Sequence, residues 1–318
     1  MPRILVSGAS GLIGSALVSS LESHGYEVAR LVRRQTREAN AVPWDPMHAI
    51  PPEVVSGFDA VIHLSGESIT RRWTPTRKAR IRDSRVISTR NLSEALSKSE
   101  KPPKTLLCAS ATGYYGSRGD EVLTEESPLG TGFLPEVCRV WEAAAEPAAK
   151  AGIRTVNLRT GLVLSRDGGP LKPMLLPFRL GLGGRIGSGR QWWSWIHIED
   201  FVAAVHHILQ SAVADPVAIA DPTTIMECRA SPPGLPLAGA INMVSSNPVT
   251  NAEFTQSLAK ALKRPAVLPI PAFAARLALG ELADEALLAS ARIDPKRLVE
   301  SGFQFKFPRL ASALTNLL

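Results

Sequence analysis

Arg3-Ile4-Leu5-Val6-Ser7-Gly8-Ala9-Ser10-Gly11-Leu12-Ile13-Gly14 reads as a strand, a glycine turn and the first turn of a helix. The apolar run carries the β-branched Ile4 and Val6, and Leu12, Ile13, Ala16, Leu17 and Leu21 then recur at helical spacing. Glycines let a backbone turn tightly and approach a pyrophosphate, while a helix N-terminus offers it unpaired N–H groups and a positive dipole end. Strand, glycine turn and helix in this order predict a dinucleotide site contacted by Gly8, Ser10, Gly11, Leu12, Ile13 and Gly14. A purely structural glycine turn is the competing reading.

Working outward, the next strand is Glu27-Val28-Ala29-Arg30-Leu31-Val32, and Arg33-Arg34 follows at once. An NAD site places a carboxylate here, about 20 residues past the glycines, to accept from the ribose 2′-hydroxyl. Val32 stands in that neighbourhood, beside two guanidiniums whose forked donors suit a phosphate. NADP(H) is therefore expected, held by Arg33 first and Arg34 second; the alternative is that both arginines merely solvate a loop.

Phe58-Asp59-Ala60-Val61-Ile62-His63-Leu64, Lys104-Thr105-Leu106-Leu107-Cys108-Ala109 and Thr155-Val156-Asn157-Leu158-Arg159 are further strands, with helical segments between them. Alternation of this kind predicts an α/β fold, a doubly wound parallel sheet of Rossmann type with helices on both faces. Ligands in such sheets lie beyond the carboxyl ends of strands. The turns Leu64-Ser65-Gly66-Glu67 and Ser110-Ala111-Thr112-Gly113-Tyr114-Tyr115 thus fall on one rim, and Leu64, Ser65 and Gly66 join the expected cofactor contacts. After residue 165 glycine-rich loops take over, and Pro216, Pro222, Pro232, Pro233 and Pro236 mark 214–239 as an irregular connection. From Asn251 onward the pattern is mostly helical. The expected division is a cofactor domain over 1–165, with parts of 196–250 returning to it, and a smaller mixed α/β substrate domain over 166–318.

Composition narrows the function classes. The 318 residues can build a sizeable core, and 36 basic against 29 acidic residues give a net charge of +7, which favours anionic ligands. Cys108, Cys138 and Cys228 are too few and too scattered for a disulfide framework or a zinc site, so no metal is expected. No apolar run approaches the roughly 20 residues of a membrane span. The first strand leaves no room for a signal peptide ahead of it. A soluble, cytoplasmic protein is expected, or an organellar one if a transit peptide has been removed. Arg71-Arg72 and Arg77-Lys78-Ala79-Arg80-Ile81-Arg82 form the most basic stretch, which reads as an anion-attracting patch or as the solvated face of a helix. No nucleic-acid fold or membrane partner accompanies it, and a small-molecule substrate is the expected partner.

Gly8-x-x-Gly11-x-x-Gly14, the Ser110 to Gly116 strand end, Leu158-Arg159-Thr160-Gly161-Leu162-Val163-Leu164 and Trp195-Ile196-His197-Ile198-Glu199-Asp200 resemble the extended short-chain dehydrogenases/reductases. Four further blocks resemble the atypical epimerase-family proteins, a subfamily sometimes labelled cell-division inhibitor. They are His63-Leu64-Ser65-Gly66-Glu67, Ser84-Arg85, the run from Pro177 to Gly184, and Asn242-Met243-Val244-Ser245. The C-terminal third is similar to that subfamily's own small domain. The resemblance covers nearly the whole chain and implies NADP binding by a Rossmann domain.

The wider family's chemistry uses a Tyr-x-x-x-Lys pair, in which Lys holds the nicotinamide ribose and lowers the Tyr pKa. None of the three tyrosines here has Lys at that spacing: Tyr26 has Arg30, Tyr114 has Arg118 and Tyr115 has Gly119. In the matching stretch stand Val137 and Trp141, or Cys138 and Glu142, depending on register. Ser110 or Thr112 takes the family's Ser/Thr position, donating to a substrate carbonyl, and Tyr114 or Tyr115 substitutes as the acid. Glu67 and Tyr115 on the rim, with Trp195 and His197 after the glycine-rich loop, are expected to meet substrate; packing between domains is the alternative for the tryptophans. His63 is either a cofactor contact or a structural histidine. The expected function is an NADP(H)-dependent oxidoreductase or epimerase on a small, phosphorylated or nucleotide-linked substrate. The alternative is a non-catalytic NADP(H) sensor or partner-binding protein.

Overall fold

Strand β1 (Arg3–Ser7) sends Ile4 and Val6 to one face of a sheet and Leu5 to the other, the two-residue period that lets a central strand feed two cores. The computed structural model describes residues 1–34, 40–211 and 236–318. Cys228 and nearly all of the proline-marked connection lie outside the described residues.

Helix α1 (Leu12–Ser23) follows β1 and precedes β2 (Glu27–Val32), β3 (Ala41–Pro43) and β4 (Ala60–His63). A long α2 (Pro75–Lys98) starts where Thr74 accepts from the Arg77 N–H and Pro75 pre-sets the first helical φ. Next come β5 (Thr105–Ala111), β6 (Val122–Leu123), α3 (Phe133–Ala143), α4 (Glu146–Lys150), β7 (Arg154–Thr160) and β8 (Leu162–Leu164). Beyond them lie α5 (Leu171–Arg179), β9 (Trp192–Trp193), β10 (Trp195–His197), α6 (Ile198–Gln210) and β11 (Gly239–Met243). The chain ends through β12 (Val249–Thr250), α7 (Asn251–Leu262), α8 (Ala272–Leu279), β13 (Arg292–Ile293), α9 (Lys296–Glu300) and α10 (Leu310–Leu317).

Seven strands form one parallel sheet in the order β11-β7-β5-β4-β1-β2-β3. The order turns outward in both directions from β1, as in a Rossmann-type doubly wound sheet. On one face Leu17 and Leu21 of α1 meet Phe201, Val205 and Ile208 of α6. On the other, Leu92 and Leu96 of α2 pack with Ala148 of α4. Each such leucine, fully buried, contributes about 1.5–3 kcal/mol. Glu199 and Asp200 open α6, where acids complement the helix dipole. Asp200 also accepts from the backbone N–H groups of Lys306 and Phe307, tying the C-terminal segment to α6.

A separate core gathers Leu171 and Phe178 of α5, Trp193 and Trp195, Phe254 and Leu258 of α7, and Leu314 of α10. Two bonds join α3 to the segment after α8, where Glu285 accepts from the N–H groups of Phe133 and Leu134. No helix among the described residues is long and apolar enough to cross a membrane.

Candidate functional site

The β1–α1 turn is shaped by what it lacks. Gly8 sits at φ +73°, and a Cβ on it would lie 2.8 Å from the Leu64 carbonyl carbon and 3.0 Å from the Ser65 nitrogen. A Cβ on Gly14 would lie 2.1 Å from the Gly8 oxygen. Neither position admits a side chain without moving backbone, so the turn and the end of β4 are pressed together by glycine alone. The Gly11 N–H closes the turn on the Gly8 oxygen at 3.0 Å. Helix α1 then begins with no side-chain cap at Gly11. Ser10 and Gly11 are exposed, and Leu12 and Ile13 are half-buried behind them. An uncapped helix start of this kind leaves its first N–H groups for an anion. Arg33 and Arg34 stand exposed just past the carboxyl end of the adjacent β2. The structure thus brings Gly8 to Gly14 together with Leu64 and Ser65, and sets the two arginines at the end of the neighbouring strand.

At the ends of β5, β7 and β11 a polar network fills the rim. Ser110, Arg159 and Asn242 occupy matched positions in register across the three strands. Arg159 donates through Nε to Glu142 Oε1 and through Nη2 to Glu142 Oε2, both at 2.9 Å, and through Nη1 to the Tyr115 hydroxyl at 3.0 Å. Ser110 Oγ donates to Glu142 Oε1 at 2.6 Å, and the Tyr115 hydroxyl donates to Asn242 Oδ1 at 2.7 Å. Burial opposes the Arg159 charge, but Glu142 and then Tyr115 more than offset it, so its pKa lies above the ordinary arginine value. Burial pushes the Tyr115 phenol up to about 12, with Arg159 pulling the other way. Tyr115 is fully enclosed. The Tyr114 ring lies against the Arg159 guanidinium, 3.5 Å from Cζ to the ring centre, and remains partly accessible. Of the two tyrosines, only Tyr114 is accessible to solvent.

Thr112 Oγ1 donates to the Thr160 carbonyl at 3.3 Å, close to the same rim. Glu67 lies there too, but its carboxylate is paired with Arg80 at 3.3 Å and Arg77 at 3.7 Å on α2. The structure does not bring Trp195 and His197 to this surface. Both are fully buried: the Trp195 indole donates to the Asn247 carbonyl, and His197 Nδ1 accepts from the Glu199 N–H while its ring packs on Phe307. The first serves the second core and the second starts α6. His63 takes its structural alternative, fully buried between Ser7 and Ser88.

On α3, Cys138 is buried, its Sγ donates to the Ala111 carbonyl, and burial pushes its thiol up to about 12. Trp141 donates from Nε1 to Thr89 Oγ1 and lies under the Arg85 guanidinium, 5.0 Å from Cζ to the ring centre. Sequence reasoning passed over Arg85, Arg159 and Asn242 as site residues. Arg159 had a readable signal, since a charge within a buried strand needs a buried counter-ion. Asn242 had only its place in the Asn242-Met243-Val244-Ser245 block, because its partner Tyr115 lies far back in the chain. Among the described residues, no cluster of His, Cys, Asp and Glu is placed to hold a metal ion.

Comparison with known proteins agrees with this architecture. Residues 4–220 match the model of the NAD dependent epimerase/dehydratase family, and residues 270–317 match a domain of unknown function, DUF1731. The chain is 41% identical over 313 residues to Epimerase family protein Mb2239 of Mycobacterium bovis, covering 98% of this chain and 96% of that one. It is 34% identical over 319 residues to human epimerase family protein SDR39U1, covering 99% of each. A crystal structure of human SDR39U1 (isoform2) with NADPH matches at a TM-score of 0.85 and 33% identity, over 99% of this chain and 98% of that one. This chain belongs to the NAD dependent epimerase/dehydratase family.

Proposed function

We propose that this chain binds NADP(H) and uses it in an oxidoreductase or epimerase reaction on a small, phosphorylated or nucleotide-linked substrate. The observation that carries the reading is the β1–α1 turn, where Gly8 and Gly14 leave no room for a Cβ beside an uncapped helix start. These residues fit a dinucleotide. Gly8, Ser10, Gly11, Leu12, Ile13 and Gly14 would hold its pyrophosphate, and Leu64, Ser65 and Gly66 would line the β4 side. Arg33, with Arg34 second, would pair with a 2′-phosphate at the end of β2. NADPH in the human SDR39U1 crystal supports that choice of cofactor. When bound, the cofactor supplies or accepts a hydride. Tyr114 is the proposed proton donor, since Tyr115 is enclosed, and Ser110 and Thr112 orient the substrate oxygen. Glu142 accepts a hydrogen bond from the Ser110 hydroxyl and would hold that side chain in place. We assign residues 1–165, with parts of 196–250, to cofactor binding and 166–318 mainly to the substrate domain.

Calorimetric titration with NADPH and NADH tests the cofactor. Tight binding of NADPH over NADH is expected, and Arg33→Asp should erode that preference by about tenfold, the value of one charge-assisted contact. Equal losses for both nucleotides would sink the assignment. For the chemistry, Ser110→Ala with Tyr114→Phe should abolish turnover of an identified substrate.

One observation favours a second reading, a non-catalytic NADP(H)-binding protein. Glu142 is already neutralised by Arg159, and the Tyr115 hydroxyl is engaged by both Asn242 and Arg159. Glu142, which stands in the stretch that matches the family's acid–base pair in one register, is therefore held in an internally satisfied network. A screen of metabolites with NADPH deuterated at the transferable position separates the two, since label in any product defeats the second reading.

A further inference from the structure

Far from the rim, α5 and α8 turn apolar side chains outward. Helix α5 sends Leu171 and Phe178 into the second core, yet leaves Leu176 67% exposed and is followed by Leu180 and Leu182, also exposed. Helix α8 buries Ala275 and packs Leu279 toward Trp73. On its other side Phe273 and Leu277, one turn apart, are 71% and 74% exposed. A helix that is apolar on both sides has an outer face with no core to fill.

The two elements belong to one surface. The Leu268 N–H donates to the Gly183 carbonyl at 3.3 Å, the Ile270 N–H to the Arg185 carbonyl at 2.8 Å, and Arg264 Nε to the Arg179 carbonyl at 3.0 Å. Charge on this surface has one sign. Residues 171–190 and 254–280 contain eight Lys and Arg, all exposed, and no Asp or Glu. Arg276 pairs with Asp284 at 2.9 Å. Arg179, Arg185 and Arg264 have no carboxylate partner among the described residues.

Exposed apolar side chains gathered in a patch mark a surface that something covers. Cations without counter-ions beside them suit an anionic, apolar-cored partner, which is the chemistry of a bilayer surface rich in acidic lipid. A second copy fits less well, since a two-fold interface would lay these arginines against themselves. A partner helix needs a groove, and side chains this far into solvent are knobs. No helix among the described residues could cross a bilayer, so the contact is peripheral.

We propose, independently of the cofactor reading, that the face built from α5, residues 264–271 and the outer side of α8 docks on an anionic membrane surface. Leu176, Leu180, Phe273 and Leu277 enter the headgroup layer, and Arg179, Arg185 and Arg264 meet lipid phosphates. Composition led to the opposite expectation because it tests only for spanning runs.

The test is flotation of the full chain with vesicles of phosphatidylcholine and phosphatidylglycerol in equal parts, against phosphatidylcholine alone, at low and high salt. Wild type should float with the anionic vesicles at low salt and lose much of that binding at high salt. Phe273→Ser/Leu277→Ser should weaken it by about tenfold or more, and Arg179→Glu/Arg264→Glu should erase the preference for anionic vesicles. All four side chains are exposed, and thermal melts check the fold. If the α8 pair melts early, Leu176→Ser/Leu180→Ser probes the other half of the patch. Flotation unchanged in both kinds of variant overturns the proposal. So does a wild-type chain that stays behind: a dimer by light scattering, broken by Phe273→Ser/Leu277→Ser, would give the face to a second copy, and a monomer would leave it to a protein partner.

Discussion

Arg159 on β7 and Glu142 on α3 meet as a two-pronged ion pair at 2.9 Å on both prongs, with side-chain exposures of 5% and 13%. Forked donors matched to both carboxylate oxygens make a rigid joint between the sheet and α3. Removing one partner leaves the other charge buried, which costs about 3–5 kcal/mol, whereas replacing both with apolar residues can be nearly neutral. Arg159→Met should therefore lower urea-unfolding stability by about 3 kcal/mol. The double variant Arg159→Met/Glu142→Leu should recover much of that loss. Strictly additive losses in the cycle would show that the pair is not coupled.

Tyr115 and Tyr114 are adjacent in sequence and should differ in cost. The Tyr115 hydroxyl donates to Asn242 and accepts from Arg159 in a fully buried place, so Tyr115→Phe should lose about 1–3 kcal/mol of stability. The Tyr114 hydroxyl has no partner among the described residues, and its ring contact with Arg159 survives Tyr114→Phe. A change within about 0.5 kcal/mol is expected there. Thermal melts of the two variants decide it. Equal losses would mean that Tyr114 is a structural residue too.

The sheet was legible because each main strand is apolar enough to read alone. Ile4-Leu5-Val6 and Val61-Ile62 are buried on both faces, and the glycines mark the turn between β1 and α1. The rim was legible only in part. Ser110 at the end of β5, and Tyr114 and Glu67 in the segments after strands, stand where local sequence exposes them. Their partners come from far along the chain: Arg159 lies 17 residues past Glu142, and Asn242 lies 127 past Tyr115. Such pairings depend on strand order, which no local pattern carries. Trp195 and His197, expected to meet substrate, are instead buried, and for Trp195 packing is the alternative that the structure takes. Their segment follows a glycine-rich loop, and only the position of α6 and α7 turns it inward.

Gly14 offers a test of the turn that does not depend on any substrate. An alanine there would set its Cβ 2.1 Å from the Gly8 oxygen, against backbone with no flexible side chain to give way. Gly14→Ala should cost about 1–3 kcal/mol of stability, the usual range for overpacking. It should also weaken NADPH binding by well over tenfold, because the displaced Gly8 segment is the proposed pyrophosphate cradle. Ser19, exposed on the same helix, supplies the control: Ser19→Ala should leave both measurements unchanged. Unaltered NADPH affinity in Gly14→Ala would place the cofactor elsewhere.

His63 gives the fold a pH dependence of defined sign. It is fully buried, with Ser7 Oγ 2.6 Å from Nδ1 and Ser88 Oγ 3.2 Å from Nε2, and burial lowers its pKa from 6.5 to about 4. Between those two values the unfolded chain takes up a proton that the folded chain refuses. Stability therefore falls as pH drops through that window and levels off below about 4. From pH 7 to pH 5 the contribution of this one group is roughly 2 kcal/mol. His197, His206 and His207, also lowered chiefly by burial, add to it with the same sign. His63→Asn should be less stable at pH 7 through lost hydrogen bonds, yet its stability difference between pH 7 and pH 5 should shrink by roughly 2 kcal/mol. Urea unfolding at the two pH values measures both quantities, and an unchanged difference would mean that His63 takes up its proton in the folded protein as readily as in the unfolded chain.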